Sequence, residues 1–361
     1  MTKIFLPTLQ RKKILQDTLN GKAPKELFYG IIDNKVNFTR DCINTREIYK
    51  DNFFNKIKKI KEIFLHSGFS KKKFINLVNK INLNTKIISF TDWDSLNFGI
   101  YKNLRKDLKM IGGFHGLYNF YKRTPKNLLY NKKKLFKKGL NNLDHLFFFG
   151  SEDRLKSIEF FNLNKEKTSV FNFGIDTQFW RKEKTNTSGK TYDIFSIGSD
   201  KHRDYALFEN LNLNYKFLII TKLKTNLKRE NFEVVNASKN KPSFSDEELR
   251  ELYNNSKVVV VPLKQTYQPS GQSAVLQAMA CGKAVIFTET FGTWDVKFFK
   301  HNHNIIFIKP NDKESLKKYL KLLLNDKNMR ENIGNNARLT AEKYFSIERM
   351  NKDFSKLLKL Q

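Results

Sequence analysis

Between Val258 and Thr288 the chain reads VVVVPLKQTYQPSGQSAVLQAMACGKAVIFT, and few architectures can hold that run. The valine run that opens it shows no polar face, the pattern of a strand buried on both sides of a parallel sheet. A polar loop with Pro262 and Pro269 follows, then a helix from about Gly271 to Cys281, a stop at Gly282 and a second strand, Ala284–Thr288. About 30 residues is the length of one strand–helix–strand unit. Parallel strands joined this way place the loop and the helix start at the carboxyl edge of the sheet, where α/β proteins bind ligands. There Ser270-Gly271-Gln272-Ser273 presents backbone N–H groups without intrahelical partners, and the helix dipole favours an anion. The competing reading is that Ser270 simply caps the helix.

The flanking chain supports the same architecture. Tyr192–Ile197, ending at Gly198, Tyr215–Thr221, Asn231–Asn236 and Asn304–Lys309 read as strands. Ser245-Asp246-Glu247-Glu248 is a capping box that opens a helix to about Asn254. Helices near Lys313–Asn325 and Asp326–Tyr344 complete a doubly wound α/β domain. In the first half, Glu62–His66, Lys86–Phe90, Lys109–Gly113 and Leu143–Phe149 read as strands between lysine-rich helices, which predicts a second α/β domain. Lys182–Lys190, without an apolar residue, reads as a linker. The expected division is 1–181 and 182–345, with an amphipathic helix at 346–361 able to pack on either domain, the first included.

Of 361 residues, 67 are Lys or Arg and 36 Asp or Glu, for a net charge of +31. Lysine and asparagine are abundant throughout, so part of that charge is compositional. It is nevertheless concentrated: Gly116–Leu143 holds eight basic residues and no acidic one. Within Leu117–Leu140 the cations Lys122, Arg123, Lys126, Lys132, Lys133, Lys134, Lys137 and Lys138 alternate with Leu, Tyr and Phe. That mixture suits an anionic membrane surface. It equally suits a helix that buries its apolar face and solvates its lysines. No nucleic-acid motif accompanies it, so no nucleic-acid partner is expected. No apolar run approaches the ~20 residues of a membrane span. Cys42 and Cys281 offer neither a disulfide framework nor a metal cluster. Met1–Lys13 has no signal-peptide pattern, and a cytoplasmic protein, peripheral on the inner membrane face, is the expectation.

The run Gln277-Ala278-Met279-Ala280-Cys281-Gly282-Lys283-Ala284-Val285-Ile286 resembles the Glu-Ala-Met-Ala-x-Gly-x-Pro-Val-Ile segment of glycosyltransferases with the GT-B fold, particularly family four, the group 1 glycosyl transferases. Phe173–Trp180 (FGIDTQFW) is similar to that family's domain-junction motif. Gly198–Tyr205 (GSDKHRDY) is similar to the turn opening its second domain, and Ile111–Gly116 (IGGFHG) to the strand and His-Gly of its first. The likeness covers roughly 110–345, in the right order and spacing. It implies two Rossmann-like domains facing a central cleft and a retaining, hexosyltransferase-like enzyme. The donor would be a nucleotide sugar, with no metal or other cofactor, and the acceptor a membrane lipid or a surface-polysaccharide precursor.

Carried over position by position, the resemblance implies that Gly271, Gln272 and Ser273 bind the donor diphosphate; Arg203 and Lys264, each following a strand of the second domain, are the cations expected to neutralise it. It places Gln277 on the ribose and His115, as the catalytic candidate, beside the acceptor. Glu289, Thr290 and Gly292 follow the next strand and are weaker candidates. Two departures stand out. The family has a glutamate at the Gln277 position and another eight residues earlier, where this chain has Pro269. Their loss keeps open a catalytically weak nucleotide- or glycan-binding protein on the same fold. A third reading comes from Asp92-Trp93-Asp94, whose spacing matches the Asp-x-Asp of metal-dependent glycosyltransferases.

Overall fold

The computed structural model describes residues 1–6, 9–44, 71–122, 129–183, 190–237 and 244–360. The chain divides into two compact units. The first comprises Met1–Gln16, Phe28–Asn172 and Asn351–Gln361; the second comprises Asp17–Leu27 and Phe173–Met350. The change of unit thus comes at 172/173 rather than at the expected 181/182, and 17–27 counts with the second unit. The terminal helix Ile347–Lys359 begins in the second unit and ends in the first. Positions 184–189 of the expected linker, and the expected strand Glu62–His66, lie outside the described residues.

The first unit is built on strands β1 (Thr2–Leu6), β2 (Cys42–Asn44), β3 (Lys86–Ser89), β4 (Lys109–Phe114), β5 (His145–Phe148) and β6 (Thr168–Val170). They lie in the order β2-β1-β3-β4-β5-β6, all parallel. β3, β4 and β5 fall where the sequence puts them. β2 and β6, at three residues each, are too short to show a periodicity. The core is phenylalanine-rich. One cluster joins Phe114, Leu117, Phe120, Tyr121, Phe136, Leu140, Phe148 and Phe161. Elsewhere in the unit Phe90 packs on Phe147, Phe171 and Phe354, the last from the terminal helix.

The second unit contains β7 (Tyr192–Ile197), β8 (Phe217–Thr221), β9 (Phe232–Asn236), β10 (Ser256–Val261), β11 (Ala284–Thr288) and β12 (Ile306–Ile308). Their order, β12-β11-β10-β7-β8-β9, is parallel throughout and reverses direction between β10 and β7. Val258–Val261 are completely buried, as strands covered on both faces must be. The expected helix occupies Gln272–Ala280, and the capping box at Ser245 forms with both of its reciprocal hydrogen bonds. Among the described residues no helix is long and apolar enough to cross a membrane.

Candidate nucleotide-sugar site

Loops leaving two neighbouring strands on either side of a reversal in strand order diverge, and the gap between them is where open α/β sheets bind ligands. In the second unit that gap lies past the carboxyl ends of β7 and β10. Arg203 forms an isolated antiparallel bridge with Leu263, and the Lys264 N–H donates to His202 O at 2.8 Å. The two loops are therefore tied to each other right at the reversal.

Arg203 is the centre of this arrangement. It is only 6% exposed, and its Nε and Nη1 are buried without a hydrogen-bond partner. Burial lowers its pKa, while the charges of Tyr205 and Asp200 oppose the shift. The guanidinium is packed beside two glycines. A β-carbon on Gly198 (φ +148°) would fall 2.1 Å from Nε, and one on Gly271 (φ +88°) 3.2 Å from Nη1. Both positions combine a backbone that disfavours a side chain with no room for one. Gly271 caps the Gln272–Ala280 helix without a side-chain hydrogen bond. The first intrahelical acceptor is Gly271 O, which takes Val275 N–H at 3.0 Å. A buried cation, a glycine without a side chain and an uncapped helix start thus share one spot. Ser270, 4% exposed, adds a buried hydroxyl without a partner, so it does not cap the helix.

Gln277 lies one and a half turns further along the same helix. It is half-buried, and its Oε1 accepts the Tyr253 hydroxyl at 3.1 Å. Tyr253 is fully buried, which pushes its pKa up and keeps the phenol neutral.

In the first unit, His115 follows β4, and the N–H groups around it are held by carboxylates. Asp92 Oδ1 accepts the His115 N–H at 3.2 Å. Asp153 accepts the Leu117 and Tyr118 N–H groups at 3.1 and 3.3 Å. Burial, with the charge of Asp92 adding to it, pushes Asp153 up to about 8. The His115 ring stacks on Phe149 at 4.0 Å, and its Nε2 lies 2.9 Å from Phe90 O. A carbonyl only accepts, so Nε2 carries the proton and Nδ1 the lone pair. Burial lowers the His115 pKa and raises that of Asp92. His115 is thus a neutral imidazole of fixed tautomer, suited to accepting a proton or a hydroxyl hydrogen.

The comparisons point the same way. Residues 205–340 match the family model described as Glycosyl transferases group 1. That match covers little more than a third of the chain. An uncharacterized glycosyltransferase of Methanocaldococcus jannaschii is 31% identical over 112 residues, a match spanning 31% of this chain and 27% of that relative. In fold, the whole chain matches a glycosyltransferase from Rickettsia africae (TM-score 0.64, 13% identity, 100% of this chain and 99% of that one). Sucrose-phosphate synthase from Thermosynechococcus elongatus is similar at TM-score 0.63 and 13% identity, covering 86% of this chain and 80% of that one. HepE of Anabaena, solved with UDP-glucose, is similar at TM-score 0.64 and 12% identity, covering 80% of this chain and 81% of that one. The chain therefore has the GT-B fold.

Within the second unit the structure brings Arg203, Lys264, Gly271, Gln272, Ser273 and Gln277 to neighbouring stretches of chain; Lys264 is exposed. Their composition alone did not mark Gly198 or Tyr253, and only the turn after β7 hinted at the former. Glu289 is exposed and Thr290 buried. Asp92 and Asp94 diverge: Asp92 serves the His115 N–H, whereas Asp94 bonds its own cap, Thr91. Among the described residues no group of three or more His, Cys, Asp or Glu could hold a metal. Of the two readings of Leu117–Leu140, the structure agrees with the helix that buries its apolar face. Leu117, Phe120, Tyr121, Phe136 and Leu140 are core residues, so they are not free to enter a bilayer. The sheet buries them more completely than an interface would. Lys133 lies 4.0 Å from the Phe160 ring centre, and Lys134, Lys137 and Lys138 are exposed. Arg123 and Lys126 lie outside the described residues.

Proposed function

We propose that this protein transfers a sugar from a nucleotide-sugar donor to an acceptor, a membrane lipid or a surface-polysaccharide precursor, with retention of configuration. The observation that carries the reading is the Arg203 guanidinium, whose Nε and Nη1 are buried and unpaired. A buried guanidinium with N–H groups left unpaired is costly, and a diphosphate between it and the helix start supplies the missing acceptors. In the transition state, negative charge develops on the departing diphosphate, and preorganised cations and N–H groups stabilise it. Arg203, Lys264 and the N–H groups at Gln272–Ser273 take that part, with no metal or other cofactor. Gln277 holds the ribose. His115, as a neutral acceptor, faces the hydroxyl of the incoming acceptor or of the transferred sugar. The UDP-glucose in HepE shows the donor class that a similar fold binds.

The test is calorimetric titration with UDP, GDP and ADP and with the matching nucleosides. The diphosphate is expected to bind at least tenfold more tightly than its nucleoside, and Arg203→Ala is expected to abolish the difference. Equal affinities would refute the site. A chelator that leaves sugar transfer intact supports the metal-free reading. A second reading, a nucleotide-binding protein with weak catalysis, is favoured by one observation: Pro269 and Gln277 stand where the family has carboxylates. Diphosphate binding without donor hydrolysis or transfer would select it. The exposed lysines near Lys134–Lys138 favour action in the cytoplasm at an anionic inner membrane face.

A further inference from the structure

The loop after β11 carries a second feature at the same edge of the second unit. Phe291 is 55% exposed, although Thr290 before it and Gly292, Thr293 and Trp294 after it are buried. Its ring stacks on Tyr267 with centroids 5.1 Å apart and planes 29° from parallel. The two aromatics come from adjacent loops that are firmly joined. The Phe291 N–H donates to Gln265 Oε1 at 2.9 Å, and the Gly292 N–H to Thr266 O at 2.8 Å. A β-carbon on Gly292 would meet Gln268 O at 2.4 Å, so only glycine permits this approach. The turn is closed by the Thr290 N–H donating to Thr293 Oγ1 at 2.9 Å.

A large apolar ring left in water on a rigid loop is an unusual use of a phenylalanine, and its place gives it meaning. Tyr267 and Gln268 lead directly into Pro269-Ser270-Gly271, the turn that opens the phosphate-binding helix. The loop of Phe291 therefore flanks that turn on the β11 side, whereas Arg203 and Gly198 flank it on the β7 side. Two amide side chains belong to the same pair of loops: Gln265, exposed, accepts the Phe291 N–H through Oε1, and Gln268, half-buried, donates its Nε2–H to Asp200 at 3.1 Å. Carbohydrate rings offer this complement, an apolar C–H face for an aromatic ring and hydroxyls at the rim for amides.

We infer that Phe291, backed by Tyr267, is the platform on which the sugar ring of the donor stacks, and that it sets which sugar is accepted. The inference rests on the reading that a nucleotide sugar binds at Gly271. A pyranose lying on Phe291 would have its C–H face held by dispersion and its hydroxyls near the Gln265 and Gln268 side chains. Phe291 is then a specificity residue, because an axial hydroxyl on the stacked face would lift the ring away from the phenyl group.

The experiment titrates wild type, Phe291→Ala and Phe291→Tyr with UDP-, GDP- and ADP-glucose and with the free diphosphates. The pair that binds wild type most tightly is used. Phe291→Ala is expected to weaken the nucleotide sugar about tenfold, the size of one well-formed aromatic contact. It should leave the free diphosphate within twofold, and Phe291→Tyr should restore the sugar affinity. Equal loss for sugar and diphosphate means that the ring touches the nucleoside, and the sugar platform is overturned. No loss for either overturns it too. If wild type binds neither ligand, the donor-site reading itself fails and the platform with it, an outcome recognisable without any variant.

Discussion

Gln277 is where the residue scale decides most. Its Oε1 is taken by the Tyr253 hydroxyl, so the side chain has a structural duty besides any contact with ribose. Gln277→Ala removes the nearer acceptor of a fully buried phenol, leaving only Ala274 O at 3.4 Å, and should cost about 1 kcal/mol of stability. Gln277→Glu keeps an acceptor and should cost less. Binding has to be read separately from melting. Nucleotide-sugar affinity is expected to fall in Ala and to survive in Glu, and an unchanged affinity in Ala would end the ribose role. A second residue predicts a pH dependence. Glu26, fully buried, accepts Trp180 Nε1–H at 2.7 Å and the Asp176 N–H at 3.2 Å. Burial pushes its pKa up to about 8 from 4.5, with these hydrogen bonds opposing the shift. The folded state then holds this proton more tightly than the unfolded state does. Its contribution is fully present below about pH 4.5 and is lost as pH rises through about 8. Melting temperature should therefore fall from pH 6 to pH 8.5, and should fall less steeply in Glu26→Gln. Parallel curves for the two proteins would show that Glu26 is not the group responsible.

At the scale of elements, the helix Gln272–Ala280 and its glycine entry form the site's least tolerant part. A β-carbon on Gly271 would come within 2.9 Å of Val261 Cγ1, on a backbone at φ +88°. Gly271→Ala should therefore lower stability by roughly 1–3 kcal/mol and displace Arg203. Diphosphate affinity should drop along with the melting temperature; a variant that melts lower yet binds normally would separate Arg203 from the site. This element was also the most readable from sequence. A valine run, a proline-bounded loop, a helix and a glycine stop follow from local preferences that the fold does not override. β7, β11 and the helix Lys313–Asn325 come out at their expected limits for the same reason. β1 was missed although Ile4, Phe5 and Leu6 are wholly buried, because its apolar stretch is short and lies beside lysine-rich chain. The site was readable only in part. Arg203 stood out by its place after a strand, but its burial depends on Gly198 and Gly271, which meet only in three dimensions. The Tyr253–Gln277 bond joins two different helices, and no spacing announces it. The aromatic residues of Leu117–Leu140 read equally well as core or as membrane anchors, since burial against a sheet and burial in lipid favour the same side chains.

For the whole molecule, two expectations follow from how the chain is shared between its units. Phe354, wholly buried beside Phe90, comes from the terminal helix, and Asp353 accepts the Asn172 N–H at 3.0 Å. Phe354→Ala should cost about 3–5 kcal/mol, measurable as a lower denaturant midpoint, and a near-neutral result would contradict this packing. The net charge of +31 predicts adsorption to vesicles containing anionic lipid at low salt, through lysine side chains rather than inserted rings. Co-sedimentation should fall with added salt and when Lys134, Lys137 and Lys138 become Gln. Binding that resists salt would instead require apolar insertion. The division of the chain also sets an order of events during synthesis. All of the second unit lies between residues 17 and 350, whereas the first unit still lacks 351–361 when residue 350 is added. Protein chains tend to fold domain by domain as they leave the ribosome, with the amino-terminal domain leading. Here that lead is lost: the first unit, whose strands start at Thr2, cannot complete its core until 351–361, which carry Phe354, are in place.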